Sequence, residues 1–267
     1  MPNEAELKIG DRRIRYLDSG AGWPVVLLHG FPLMAEMWRP QFDHVPDGWR
    51  FVVPDLAGFG GSSPLQGPPT MDGYADDVLA LLDHLKIDNA TIGGLSMGGY
   101  ITFALLRKAP ERFTAAILGN TRAQTDTPEG REGRQKMRQL VAERGVSAVA
   151  DQMLPKLLAH RSRQERPELE RQVRQMIEMN GVQGVGDAID AMMQRPDSTP
   201  LLARIGRPAL IVTSDGDTLI PVADAEAMHN QIRRSRLVVL EGAGHLSNLE
   251  APQEFSSALN DFLASNL

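Results

Sequence analysis

The stretch Gly93-Gly94-Leu95-Ser96-Met97-Gly98-Gly99 decides how the chain is read. A short apolar run, Ala90-Thr91-Ile92, leads into it, and Tyr100 to Lys108 reads as a helix leading out. The pattern is G-x-S-x-G between a strand and a helix. A serine there sits on a turn sharp enough to strain its backbone, and Gly94 and Gly98 are needed where strand and helix pass closely. Such a turn pushes the Ser96 hydroxyl clear of a sheet and sets it near a helix N-terminus. Free N–H groups and the positive end of the helix dipole favour a developing anion there. A glycine-rich connection with an incidental serine is the plainer reading, so the rest of the chain has to decide.

On either side of the turn the chain alternates strand and helix signals. Val25-Val26-Leu27-Leu28 and Ala115-Ala116-Ile117-Leu118 are short continuous apolar runs, the mark of strands buried on both faces of a parallel sheet. Arg50 to Pro54 is a further strand, ending at Asp55 and the loop Gly58-Phe59-Gly60-Gly61-Ser62. Leu7 to Gly10 and Arg12 to Asp18 suit a hairpin. Asp72 to Lys86 has helical period, with Tyr74, Val78, Leu81, Leu82 and Leu85 on one side. Near the C-terminus come a strand at Ala209–Thr213, a helix from Val222 to Ile232, a strand at Leu237–Leu240 and a helix from Pro252 to Ala264. Between them, residues 121–199 lack strand-like runs. They read as an inserted helical unit, with helices over Glu129–Arg144, Val146–His160, Pro167–Asn180 and Val182–Gln194, broken by Pro155, Pro167, Gly181 and Pro196. The expected organisation is an α/β core over 1–120 and 200–267, with 121–199 inserted as a helical cap.

The totals bound the function. A length of 267 residues suits one such core plus its insertion. A net charge of -6 gives no footing for nucleic acid or an anionic membrane surface. No cysteine is present, which removes disulfides, thiol nucleophiles and thiolate metal sites. Nothing has metal-ligand spacing, and the Gly58–Ser63 loop lacks the third glycine of a dinucleotide fingerprint. No cofactor or metal is therefore expected. Glu4, Glu6, Lys8, Arg12 and Arg13 stand where a secretion signal needs an apolar block, and no run approaches the ~20 apolar residues of a membrane span. The expectation is a soluble cytoplasmic protein acting on a small molecule.

A serine hydroxyl is a weak nucleophile unless a base, oriented by a third group, takes its proton. Of the six histidines, His245 sits in the flexible loop Glu241-Gly242-Ala243-Gly244-His245 after the last strand, C-terminal to Ser96. It is the expected base. His29 reads as structural, holding the turn after its strand. The acid is expected between serine and histidine in chain order. Thr213-Ser214-Asp215-Gly216-Asp217 offers two candidates, of which Asp217 is preferred and Asp215 is the runner-up. The other plausible location, after Leu118, holds Asn120, which cannot be an anion. An oxyanion needs two backbone N–H groups. Met97 supplies one by position, and Phe31, in His29-Gly30-Phe31-Pro32, is the natural second.

These residues resemble the α/β-hydrolase superfamily over essentially the whole chain. The resemblance is carried by His29-Gly30-Phe31-Pro32 with Trp38, Asp55 with its glycine-rich loop, Gly94 to Gly98, Asp217 with Pro221, and Gly244-His245 with Glu250 and Pro252. Gly93 to Tyr100, Asn120-Thr121-Arg122 and Arg195-Pro196-Asp197-Ser198 look most like bacterial carboxylesterases with a helical cap. The resemblance implies an eight-stranded, mostly parallel sheet with the cap over the site, and serine carboxylesterase activity through an acyl-enzyme. Enol-lactonases, C–C hydrolases and perhydrolases share the same residues, and some hydrolase scaffolds serve as small-molecule receptors. Ser96 excludes the aspartate-nucleophile relatives. Ser214 departs from the pattern, since relatives often have glycine three before the acid.

The insertion has no aromatic residue but six methionines, Met137, Met153, Met176, Met179, Met192 and Met193. Most are expected in the cap's own core, with some apolar face roofing Ser96. A roof of Met and Leu is adaptable and offers no rings for stacking. No obvious paired basic cluster stands out in the sequence, so small neutral aliphatic esters are the expected substrates.

Overall fold

The computed structural model describes residues 2–265. Its centre is an eight-stranded sheet in the order β1-β2-β4-β3-β5-β6-β7-β8. The strands are β1 (Asn3–Ile9), β2 (Arg12–Asp18), β3 (Trp23–Leu28), β4 (Trp49–Pro54), β5 (Ala90–Leu95), β6 (Phe113–Gly119), β7 (Ala209–Ser214) and β8 (Ser235–Leu240). β2 pairs antiparallel with β1 and β4, and the remaining pairs are parallel. Every residue of β5 and β7 is buried, because parallel strands are covered by helices on both faces. β1 begins four residues before the expected Leu7. Its pairing runs from Ile9↔Arg12 out to Asn3↔Asp18, and the added residues, exposed Asn3, Glu4 and Glu6 around one half-buried alanine, carry little apolar signal in sequence.

The helices in chain order are α1 (Arg39–Phe42), α2 (Met71–His84), α3 (Met97–Lys108), α4 (Pro128–Leu157), α5 (His160–Glu165), α6 (Pro167–Glu178), α7 (Val182–Gln194), α8 (Thr199–Leu202), α9 (Val222–Gln231), α10 (Ser247–Glu250) and α11 (Pro252–Ala264). α4 to α8 lie between β6 and β7. The Thr127 hydroxyl caps α4 by accepting the Gly130 N–H at 3.2 Å. Gly145, at φ 75°, breaks α4 between the two segments that the sequence pattern separates. Pro155, expected as a break, does not end the helix, which continues to Leu157. A proline inside a helix costs about 3 kcal/mol. Burial of Leu154 and Leu157 offsets it, at about 1.5–3 kcal/mol for each side chain. α5 escapes sequence reading because its six residues, HRSRQE, contain nothing apolar and so no period.

Asn180 and Glu250 tie this helical segment to the loops at the C-terminal ends of the strands, and a buried ion pair closes the segment's own base. Asn180, just after α6, donates to Pro32 O at 2.8 Å and accepts the Gly60 N–H at 2.9 Å. Buried Arg195, after α7, meets Asp126, before α4, at 2.8 Å. Glu250 accepts the N–H groups of Ala159 at 2.9 Å and Gly244 at 3.0 Å. Burial pushes the Glu250 carboxyl above the usual carboxylate range, against these hydrogen bonds.

His29 is fully buried behind the loop after β3. Its Nδ1 lies 3.0 Å from Gly30 O and carries the proton, while Nε2 accepts the Leu56 N–H at 3.0 Å. A second proton would set two N–H groups against each other in a dry site. Burial brings its pKa down from 6.5 to about 4, outweighing the Gly30 bond and the nearby Asp55. The unfolded chain takes up this proton below the ordinary histidine pKa, and the folded chain does so only near pH 4. Stability from neutral His29 is thus complete above about pH 6.5 and lost as pH falls towards 4, by about 3 kcal/mol in all. Denaturant unfolding measured from about pH 7 to 4.5 should show that loss, and His29→Gln should flatten it. An unchanged slope in the variant would put the acid sensitivity elsewhere.

Candidate active site

Ser96 caps the N-terminus of α3 directly after β5, with φ 56° and ψ -112°. That backbone lies in a region costing of order 1–3 kcal/mol for a residue with a side chain. Its surroundings hold it there. The Ser96 N–H donates to Gly119 O at 2.9 Å, and Ser96 O accepts from the Gly99 N–H at 2.9 Å and the Thr121 hydroxyl at 2.8 Å. A Cβ on Gly94 would collide with the Gly98 backbone, and one on Gly98 with the end of β3, so the close passage requires both glycines. The Ser96 hydroxyl has no hydrogen-bond partner among the described residues. It borders a cavity of about 290 Å³.

His245 lines the same cavity. It is held from behind, its Nδ1 2.8 Å from Asp217 Oδ2, and both side chains are buried. Asp217 follows β7 in a turn that satisfies its other oxygen: Oδ1 accepts the N–H groups of Leu219 at 2.8 Å and Ile220 at 3.0 Å. Burial works to raise the Asp217 carboxyl. The charge and hydrogen bond of His245, the Asn120 amide and the Ile220 N–H outweigh it and hold the carboxyl below the usual range. A histidine whose Nδ1 proton is bound in this way keeps Nε2 free to accept a proton. Asp215 lies outside this group. It is exposed and accepts the Gly242 N–H at 2.7 Å, tying down the loop before His245.

Phe31 lines the cavity, whereas the Met97 side chain is fully buried and only its backbone stands beside Ser96. Met97 is the first residue of α3, so its N–H has no acceptor within the helix. Neither that N–H nor the Phe31 N–H is engaged among the described residues. Five residues read from sequence, Phe31, Ser96, Met97, Asp217 and His245, thus come to one end of the sheet from four separate segments.

Sequence reading missed a polar frame behind this group. Asn120, at φ 39° beyond β6, donates to Asp217 Oδ2 at 3.0 Å and to Ser214 Oγ at 2.8 Å, and accepts from Ser247 Oγ at 2.6 Å. Ser214 Oγ donates in turn to Gly244 O at 2.5 Å. The departure at Ser214 therefore has a use: its hydroxyl joins the end of β7 to the histidine loop. The available signal was polar residues directly ending apolar strand runs.

One expectation is corrected. The cavity wall is not free of basic groups: Arg122, Arg134 and Lys156 all line it. They lie 12 and 22 residues apart in sequence, and only the tertiary structure, with α4 broken at Gly145, brings them to one wall. Of the six methionines, Met137, Met153 and Met192 reach the cavity, with Ile189. Met179 is instead 70% exposed.

A mostly parallel sheet with a strained serine between its central strand and helix is the architecture of the α/β hydrolases. The family model described as the alpha/beta hydrolase fold matches residues 24–252, and the chain belongs to this family. It is similar to 3-oxoadipate enol-lactonase 2 of Acinetobacter baylyi, with 33% identity over 224 residues covering 84% of this chain and 82% of that protein. Among solved structures it is similar to a thermophilic esterase from Thermogutta terrifontis, with 36% identity and a TM-score of 0.92 over 99% of this chain and 98% of that one. It is also similar to the enol-lactonase from Burkholderia xenovorans LB400, with 27% identity and a TM-score of 0.90 over 97% of this chain and all of that one (100%). Among the described residues no helix is long and apolar enough to cross a membrane.

Proposed function

We propose that the protein is a serine carboxylesterase that hydrolyses small to medium aliphatic esters through an acyl-enzyme. The observation that carries this reading is the His245–Asp217 pair at 2.8 Å on the cavity that Ser96 borders. In this mechanism Ser96 Oγ attacks the ester carbonyl and His245 Nε2 takes the hydroxyl proton. Asp217 holds the imidazole in the right tautomer and stabilises the imidazolium. The Phe31 and Met97 N–H groups hold the oxyanion. Collapse of the tetrahedral intermediate expels the alcohol, which leaves with the proton from His245. Water then gives a proton to His245, attacks the acyl-enzyme and releases the acid and Ser96. Residues 121–199 serve as the cap over this reaction, on the core of 1–120 and 200–267. The relation to an esterase at 36% identity supports the reading.

A p-nitrophenyl ester series from acetate to palmitate tests both the activity and its range. Each methylene buried against Met137, Met153, Met192 and Ile189 contributes about 0.8 kcal/mol, or roughly fourfold in kcat/KM, until the cavity is full. The maximum should fall at acyl chains of about two to six carbons, with a sharp decline by palmitate, since about 290 Å³ is at the small end of ligand sites. A maximum at palmitate would indicate an open lipase-like groove. The second reading, a lactonase using the same residues, is favoured by the two relatives named as enol-lactonases. Negligible turnover of the whole ester series beside fast lactone hydrolysis would establish it instead.

A further inference from the structure

The charge of the cavity wall runs against the charge of the chain. The chain carries a net charge of -6, yet the cavity is lined by three cations, Arg122, Arg134 and Lys156, against one carboxylate, Asp126. Asp126 is fully engaged. It accepts from Arg134 Nε at 2.5 Å and Arg195 Nη2 at 2.8 Å. Arg134 is thereby held in an ion pair, and it also donates to Met192 Sδ at 3.1 Å. Arg195 is buried over the Tyr100 ring, 4.2 Å from its centroid.

The other two cations are left weakly committed. Lys156, exposed near the end of α4, has no ion-pair partner among the described residues. Arg122 has its nearest carboxylate, Asp224, at 3.8 Å, beyond hydrogen-bond reach; it makes one long bond to Leu219 O at 3.4 Å and lies beside the Tyr100 hydroxyl. Its Nε is buried without a hydrogen-bond partner among the described residues. A guanidinium carries five donors, and leaving a buried one unmade is costly. Solvation at the cavity mouth would account for Lys156 alone. It does not account for a half-buried arginine kept under-bonded on the same wall as Ser96.

We propose that the substrate carries an ionised carboxylate in addition to its ester group, and that Arg122 and Lys156 hold it. The proposal rests on reading the site as an ester hydrolase, and it names the class: half-esters of short dicarboxylic acids. Charge-assisted hydrogen bonds to carboxylate are the strong ones, and arginine matches its geometry. The apolar wall of Met137, Met153, Met192 and Ile189 takes the methylenes between the two ends.

Monomethyl adipate and dimethyl adipate test this, because they differ chiefly in one negative charge. Wild type should show a kcat/KM at least about tenfold higher for the half-ester at low salt, mostly through KM, and the preference should shrink in about 0.5 M salt. Arg122→Gln and Lys156→Gln should each bring that ratio down towards one. Lys136→Gln is the control, an exposed lysine elsewhere on α4 paired with Glu132, and should leave the ratio alone. Lys156 is exposed, so its variant reports even where Arg122→Gln fails to fold. Equal or better turnover of the diester by wild type, or an unchanged ratio in Lys156→Gln, would overturn the proposal. Turnover of neither ester would count against the esterase reading and leave the carboxylate site to be judged by binding. In Ser96→Ala, adipate should bind at least about tenfold more tightly than neutral adipamide by calorimetry, and equal binding would sink it.

Discussion

Ser96→Ala is expected to abolish nearly all hydrolysis, with a loss in kcat of at least ~10³-fold and as much as ~10⁶-fold. Without Oγ there is no atom to carry the acyl group, and a water placed by chance lacks the alignment given by the turn. The residue left behind is not useless, since the N–H groups of Phe31 and Met97 and the cavity still bind the carbonyl. That sets the lower bound on the loss. Stability should change little. Alanine inherits the same strained backbone at φ 56°, and the oxygen removed makes no hydrogen bond among the described residues. The measurement is single-turnover and steady-state kinetics beside a thermal melt. Activity above a tenth of wild type with an unchanged melt would remove Ser96 from the nucleophile role.

Asp217→Asn should cost ~10⁴-fold in kcat, the size known for the same exchange in a Ser-His-Asp protease. The structure supplies a specific reason. Asp217 Oδ1 accepts two backbone N–H groups, from Leu219 and Ile220. An asparagine would leave its amide oxygen there and turn its NH₂ to the Oδ2 position. That NH₂ would meet the Asn120 amide as donor against donor and face His245 Nδ1. The imidazole could then accept at Nδ1 only by moving its proton to Nε2, the nitrogen that must accept from Ser96. Asp215→Asn should cost far less, because its amide oxygen can still accept the Gly242 N–H from the exposed side of the loop. If the ranking were reversed, the acid would be Asp215. Small losses in both would leave His245 without an orienting carboxylate.

Much of the fold is local and therefore legible in the sequence. Continuous apolar runs such as Val25–Leu28 and Ala115–Leu118 mark strands covered on both faces, and G-x-S-x-G between strand and helix marks the turn at Ser96. Those signals depend on neighbours a few residues away. They yielded the α/β core and brought Phe31, Ser96, Met97, Asp217 and His245 under consideration, while the eight-stranded, mostly parallel sheet was what the family resemblance implied. Where the local signal is weak, the reading stopped short. β1 begins in mostly exposed polar residues, α5 has no apolar period, and Pro155 is carried by the burial of Leu154 and Leu157.

What only the tertiary structure decided was which polar groups meet. Asn120 and Asp217 are 97 residues apart, and the Asn120 amide reaches Asp217 Oδ2 because β6 and β7 are adjacent in the sheet. The roles of Asp215 and Asp217 separate for the same reason: one turns outward to the Gly242 loop and the other inward to His245. The charge of the cavity was hidden for a related cause. Arg122, Arg134 and Lys156 look like unrelated surface cations along the chain, and they share one wall only because α4 bends at Gly145 and lies across the strand ends. Periodicity records which face of an element is buried. It does not record which buried or half-buried charge stands opposite another, and that pairing is what fixes the chemistry of this site.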